Sequence, residues 1–467
     1  MKVNVSKDHI VAYVSPRSIG GQSLFSPAAK LMASHIESYT SEKSIETRAR
    51  NKLEAMGFTI EKVSTLSIRI SAPAALYQKE MGVKFEKDTS SMFLPTPESV
   101  MNALQLDSEV LEGAAFPQPV ELHAAKKAAK KAAAKKAAVH AGPSATPPAL
   151  PYFHLQVPDD IVSLLNAGPL HAGGIKGQGV KAAMIDSGFD WSHPYFSGKG
   201  YNLNAAPPHN VDRNGHGTGE SANLLAIAPK VKLHGLLMDD SVASFQTARD
   251  TLKVKIISNS WGSRLPTDGQ FGTWNPYWSL VLGEISLCVQ AGMIVLFSGG
   301  NGGMSATASS TDVISVGGVY SDENGQLHAT DYASSFQSFR FPGRQIPDVC
   351  GLCGVRPRAA YIALPIPPGC AIDQDLAGGI WPMKDQTAAN DGWAVFSGTS
   401  AACPMVAGVV ALMLSKHPDL TLAEIRQRLE STCKDVVQGA SSMGDQAGPG
   451  RDLATGYGLV DAARACA

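Results

Sequence analysis

FSGTSAACPMVAGVVALM, residues 396 to 413, presents one serine, Ser400, on a turn of small residues and runs straight into an apolar helix. Gly398 and Thr399 allow a tight turn. Pro404 is expected near the first turn of the helix, where its missing N–H costs little, and the apolar run after it reads as a core helix. A serine at a helix start lies beside backbone N–H groups that can stabilise developing negative charge. That setting suits a nucleophile, although a Gly/Ser turn ahead of a core helix is the plain alternative.

Outward from this stretch, the chain from about Val157 alternates short apolar strands with helical segments. The strands are VKAAMID, VKLHGLLM, VKIISNSWG, MIVLFSGG and VISVGGV. Near-continuous apolar strands of this kind predict an α/β fold, a parallel sheet covered by helices on both faces. In such sheets active sites collect at the C-terminal ends of strands. VKAAMID ends in Asp186, followed by a Ser-Gly turn, which delivers a carboxylate at a strand tip. DRNGHGTG sets His216 between two glycines, where its ring can approach another side chain. MIVLFSGGNGG puts Asn301 on a glycine-rich turn, with an amide N–H to offer an oxyanion.

These four residues complement one another chemically. Ser400 is a weak nucleophile that needs a base, His216 can take its proton, and Asp186 can orient that ring and stabilise its cation. The segments GQGVKAAMIDSG, NGHGTG, IISNSWG, SGGNGG, VISVGGV, FSGTSAACPMVAGVVALM and TGYGLVDAARA resemble the subtilases, the subtilisin-like serine peptidases, over about two thirds of the chain. Subtilisin is itself the reference case for the chain order Asp, His, Ser and for the oxyanion asparagine. The resemblance implies a triad of Asp186, His216 and Ser400, with Asn301 as oxyanion donor. It also implies that Ser260, Trp261 and Gly262 form an edge on which substrate pairs as an added strand. The function implied is a serine endopeptidase made as a zymogen and acting through an acyl-enzyme on polypeptides. An inactive peptide-binding protein on the same fold, or an esterase or peptide ligase using the same site, are the alternatives.

The N-terminal part reads as strand, helix, strand, strand, helix, strand: HIVAYV, a helix ending near Lys52 to Met56, FTIEKVS, LSIRISA, a helix from Pro73 through Glu80, and VKFEKD. Gly57 and Gly82 are the helix stops. That order predicts a small ferredoxin-like α+β sandwich. MFLPTPESVMNALQL follows as an extended segment and a short helix. The segment KLEAMGFTIEKVSTLSIRISAPAALYQKEMGVKF resembles the propeptides of subtilases and of the related sedolisins. Sedolisins carry Glu and Asp where this chain has His216 and Asn301, so the C-terminal part resembles a subtilase. The tract AAKKAAKKAAAKKAA favours helix but has no apolar face to dock, and no aromatics interleave with its lysines to stack bases, so it reads as a spacer. The expected organisation is residues 1–116 as a propeptide-like domain, 117–150 as linker and 151–467 as the peptidase domain.

At 467 residues with a net charge of -1, the chain is long enough for two or three units and its overall charge selects no partner. Partners are therefore expected to be a polypeptide substrate and the chain's own propeptide, with neither nucleic acid nor membrane. The first twenty residues are polar and alternating, and no apolar stretch reads as spanning a bilayer, which together with an odd cysteine count suggests a cytoplasmic location or an unconventional exit. Cys350 and Cys353 form one CxxC, with Cys370 beyond. Zinc or redox use, a labile disulfide and free thiols remain open. After GHGT the usual His-Val-Ala-Gly is replaced by Gly219, Glu220, Ser221 and Ala222, and the following loop is short. No metal or cofactor is therefore expected; calcium as a structural ion is conceivable but not at the usual loop. An extra segment, residues 350–393, reads as a rim or lid over the site or as a surface loop.

Overall fold

The computed structural model describes residues 9–26, 28–87, 93–96, 109–118, 120–122, 142–262, 264–265 and 275–467. The expected helix in MFLPTPESVMNALQL and the lysine-rich spacer fall outside them. The chain divides into two compact units, one of residues 1–119 with 268–290, the other of residues 120–267 with 291–467.

The first unit carries strands β1 (His9–Pro16), β2 (Thr59–Val63), β3 (Ile68–Pro73) and β4 (Leu111–Ala115), with helices α1 (Lys43–Ala55) and α2 (Ala74–Met81). The sheet order is β2-β3-β1-β4, with every pairing antiparallel. Helix α1 buries Glu46, Ala49 and Leu53, one face at helical spacing. Gly57 and Gly82 follow the two helices at positive φ, +95° and +67°, where glycine alone is free of strain. One expectation fails: the fourth strand of the sheet is Leu111–Ala115, while Phe85–Lys87 forms a hairpin with Phe93–Pro95. The apolar positions of VKFEKD satisfy either arrangement, because Phe85 still reaches the aromatic core formed by Tyr77 and Phe116. Helix Pro276–Gln290 belongs to this unit, with Gly283 facing Leu24, Ile36 and Leu66.

In the second unit the principal sheet contains, in chain order and after a two-residue strand β5 (Glu121–Leu122), β6 (Lys181–Asp186), β7 (Asn202–Ala205), β8 (Lys232–Leu237) and β9 (Ile256–Asn259). After the short β10 (Trp261–Gly262) come β11 (Ile294–Ser298), β12 (Val313–Ser321), β13 (Leu327–Ala329) and β14 (Val349–Leu352). Its order is β7-β8-β6-β9-β11-β12-β13, with β14 also on β12. All pairs are parallel except β12 with β13. The α/β architecture expected from the apolar strands is therefore present. Helices α3 (His216–Ile227) and α4 (Thr399–Lys416) pack closely, since a Cβ on Gly408 would stand 2.7 Å from Ile227 Cβ. The 18 residues of α4 are long and apolar enough to cross a bilayer, contrary to the sequence expectation, but 89% of that span is buried inside the protein, the mark of a core helix.

Residues 350–393 combine packed strands with surface chain, where Ile380, Trp381 and Met383 are exposed. They supply part of β14 and strand Ile362–Pro365, which pairs with Trp393–Phe396 and with Leu155–Gln156. Tyr361, Ile362 and Leu364 are core residues. The apolar run YIALPIP carries that signal, but its prolines disguise it as irregular chain.

Candidate active site

Asp186 is the last residue of β6 and His216 the first of α3. Asp186 Oδ1 accepts from His216 Nδ1 at 2.7 Å and from the Ser187 backbone N–H at 2.7 Å. Both side chains are about 1% exposed, so the contact is shut off from water. The two glycines beside His216 are dictated by backbone approach. Gly215 has φ +95° and its Cβ would meet Cys370 Sγ at 2.5 Å, while a Cβ on Gly217 would lie 2.2 Å from the Gly188 carbonyl. Asp212, which has no distinguishing mark in the sequence, pins this turn. It accepts from the N–H groups of Asn214, Gly215 and Thr218 and from the hydroxyls of Ser187 and Thr218. The inserted segment braces the same turn, with Ala371 N–H and Ile372 N–H donating to the carbonyls of Arg213 and Asn214.

Burial on its own would lower the pKa of His216, but the charge and hydrogen bond of Asp186, with smaller pushes from Glu220 and Asp212, raise it to about 9. His216 Nε2 makes no hydrogen bond among the described residues.

Ser400 is the second residue of α4, after the N-cap Gly398. Pro404 therefore lies in the second turn and removes the N–H that would have bonded the Ser400 carbonyl. Ser260 Oγ replaces it, donating to Ser400 O at 2.9 Å, and the Ser400 hydroxyl donates to Ser260 O at 3.4 Å. Ser260→Ala is expected to remove the side-chain donor to that buried carbonyl, at a cost of about 1–3 kcal/mol. Differential scanning calorimetry should show a lowered midpoint; an unchanged one would mean that another donor takes over.

Asn301 is fixed by the same helix start, its Oδ1 accepting from Thr399 N–H at 3.1 Å and Thr399 Oγ1 at 3.0 Å. Cys353 Sγ donates to the Gly398 carbonyl at 2.9 Å and Cys350 Sγ to the Thr455 carbonyl at 3.2 Å. All seven cysteines are free, and burial pushes the thiols of Cys350 and Cys353 well up, so they are structural hydrogen-bond donors. Cys370, also buried, packs against Gly215.

The edge Ser260-Trp261-Gly262 runs beside Ser400. Trp261 is buried, donates from its indole to the Ile185 carbonyl at 2.8 Å and meets Phe297 edge-on. Strand β5 lies antiparallel on it, Trp261 opposite Leu122 and Gly262 opposite Glu121. The structure thus brings Asp186 to His216, Ser400 to Ser260 and Asn301 to Thr399. It does not bond Ser400 to His216. Among the described residues no group of three or more His, Cys, Asp or Glu side chains is arranged to hold a metal ion.

Residues 177–458 match the subtilase family model. The chain is 29% identical over 292 residues to subtilisin of Bacillus pumilus, covering 58% of this chain and 90% of that protein. It is 28% identical over 292 residues to subtilisin E of Bacillus subtilis (strain 168), covering 58% of this chain and 65% of the relative. Among solved structures, fervidolysin from Fervidobacterium pennivorans, a keratinolytic enzyme related to subtilisin, aligns with a TM-score of 0.58 and 16% identity. That alignment covers 100% of this chain and 62% of fervidolysin, and it speaks to fold alone. The relatives are secreted, extracellular subtilisins, which overturns the cytoplasmic expectation and points to secretion. The polarity of the first twenty residues and an odd cysteine count describe those residues and carry no weight against that kinship. The chain belongs to the subtilase family and is a subtilisin-like serine endopeptidase.

Proposed function

We propose that Ser400 is the nucleophile, His216 the general base, Asp186 its orienting carboxylate and Asn301 the oxyanion donor, in an enzyme made as a zymogen. The observation that carries this is the buried 2.7 Å contact between Asp186, at a strand tip, and His216, at a helix start. Ser400 Oγ adds to the scissile carbonyl as its proton passes to His216 Nε2. The tetrahedral oxyanion collapses, the imidazolium gives that proton to the departing amine, and water then hydrolyses the acyl-enzyme by the same route. Asp186 holds the ring in place and stabilises the imidazolium. The Ser400–His216 hydrogen bond is expected to form when substrate binds, as such bonds often tighten only in the complex.

Substrate is proposed to pair with Ser260, Trp261 and Gly262. The pairing of Glu121 and Leu122 on that edge supports both this role and an inhibitory propeptide, because the chain's own segment takes the position a substrate strand would. A covalently attached strand has a high effective concentration, so modest affinity silences the intact chain. The proposed division is residues 1–116 as propeptide, 117–150 as linker and 151–467 as peptidase.

The ladder also predicts the cut. Gly262 faces Glu121 and Trp261 faces Leu122, so the chain's own strand runs along the edge toward Ser260. Ser260 is the residue whose carbonyl meets the Ser400 hydroxyl. A cut within a few residues after Leu122 is therefore expected. N-terminal sequencing and intact mass of the purified chain should give a mature N-terminus in that stretch, with Ser400→Ala remaining whole. Identical processing in Ser400→Ala would remove self-cleavage from the proposal.

A further inference from the structure

Glu220 follows His216 by four residues on α3, so the two side chains share a helix face. It is 0% exposed. Its Oε2 accepts from Asn223 Nδ2 at 2.8 Å, whereas Oε1 has no hydrogen-bond partner and stands 3.8 Å from His216 Nε2. That nitrogen is the one the proposed reaction uses. A buried carboxylate is costly without a counter-charge, and the imidazolium is Glu220's only ion-pair partner among the described residues.

We propose that Glu220 is a positioning residue for His216: its open carboxylate oxygen faces the Nε2–H of the imidazolium in the resting enzyme and keeps the base cationic to higher pH than Asp186 alone would. The proposal rests on His216 being the base. In the resting pair the Nε2 proton is held between the imidazole and the carboxylate. Activation is its loss to solvent, which frees the Nε2 lone pair to take the Ser400 proton.

The charged and titratable groups that face the pair come from several elements. Asp186 faces His216 from β6 and Asp212 from the turn before α3. Cys403 on α4 and Cys353 after β14 also feel Glu220, but burial pushes both thiols up, that of Cys403 to about 12, so they stay neutral. Burial raises the Glu220 carboxyl as well, against the opposing pull of His216 and Asn223. His216 and Glu220 therefore titrate as a coupled pair, each setting the other's proton affinity.

The test is the pH profile of kcat/KM for Glu220→Gln, which keeps the size and the bond from Asn223 but removes the charge. The acid limb should move down by about one pH unit, with KM unchanged. On the alkaline plateau kcat should fall a few-fold, because the base is weaker. Glu220→Asp, one methylene shorter, should place the limb between the two, and serves if the Gln variant does not fold. Independently of turnover, the His216 Cε1–H resonance titrated by NMR in Ser400→Ala and in Ser400→Ala/Glu220→Gln should show the same downward shift. Unchanged midpoints in both measurements would overturn the proposal and leave Glu220 a structural acid with the triad intact. Activity surviving in His216→Ala would instead overturn the reading of His216 as the base.

Discussion

Ser400→Ala is expected to reduce peptide hydrolysis by roughly a million-fold in kcat, the magnitude established on subtilisin, a relative of this chain. The residue sits where few replacements fit: second in a helix whose first carbonyls are already committed, with its own carbonyl held by Ser260 and its hydroxyl against the Ser260 carbonyl. Removing one oxygen leaves that scaffold in place, so the loss should appear in turnover with the melting transition unmoved. His216→Ala should match it, and Asp186→Asn should cost less, since an asparagine keeps the volume but supplies no charge for the imidazolium. The double variant Ser400→Ala/Asp186→Asn should be little worse than Ser400→Ala alone, because groups that move one proton cannot be removed twice. Additive losses in steady-state kinetics would mean that the three residues act separately, and full activity in Ser400→Ala would remove the assignment.

The residues proposed to carry chemistry are legible in the sequence because each needs a local arrangement that leaves a trace there. The strand tip before Asp186, the glycines around His216 and the small-residue turn before Ser400 are all short-range features, and the structure explains each by a backbone approach or a helix start. What is not legible depends on distant partners. Asp212 looks like any loop aspartate until the five donors it satisfies come together. Pro404 reads as a proline whose missing N–H costs little until Ser260, 140 residues earlier, is seen to satisfy the carbonyl that the proline leaves open. The fourth strand of the N-terminal sheet escapes a sequence reading for the same reason. An edge strand is chosen by tertiary pairing, and LEGAA of β4, rich in small residues, carries less strand signal than VKFEKD.

Asn301→Ala is expected to lower kcat by about 100- to 1000-fold, or about 2.7–4 kcal/mol, with little change in KM, again a magnitude known from subtilisin itself. The structure refines what that experiment measures. Asn301 Oδ1 is already used by the N–H and hydroxyl of Thr399, which orients the amide, and the NH₂ is the side chain's donor end. Alanine removes both ends at once, so some stability should be lost with the activity as Thr399 loses its acceptor. Asn301→Asp separates the two, because a carboxylate can keep both bonds from Thr399 but has no proton to give and repels an oxyanion. Its melting point should stay near wild type while kcat falls at least as far as in the alanine variant. If Asn301→Asp instead retains turnover, the donor role is wrong, and Asn301 serves only to hold the start of the Ser400 helix.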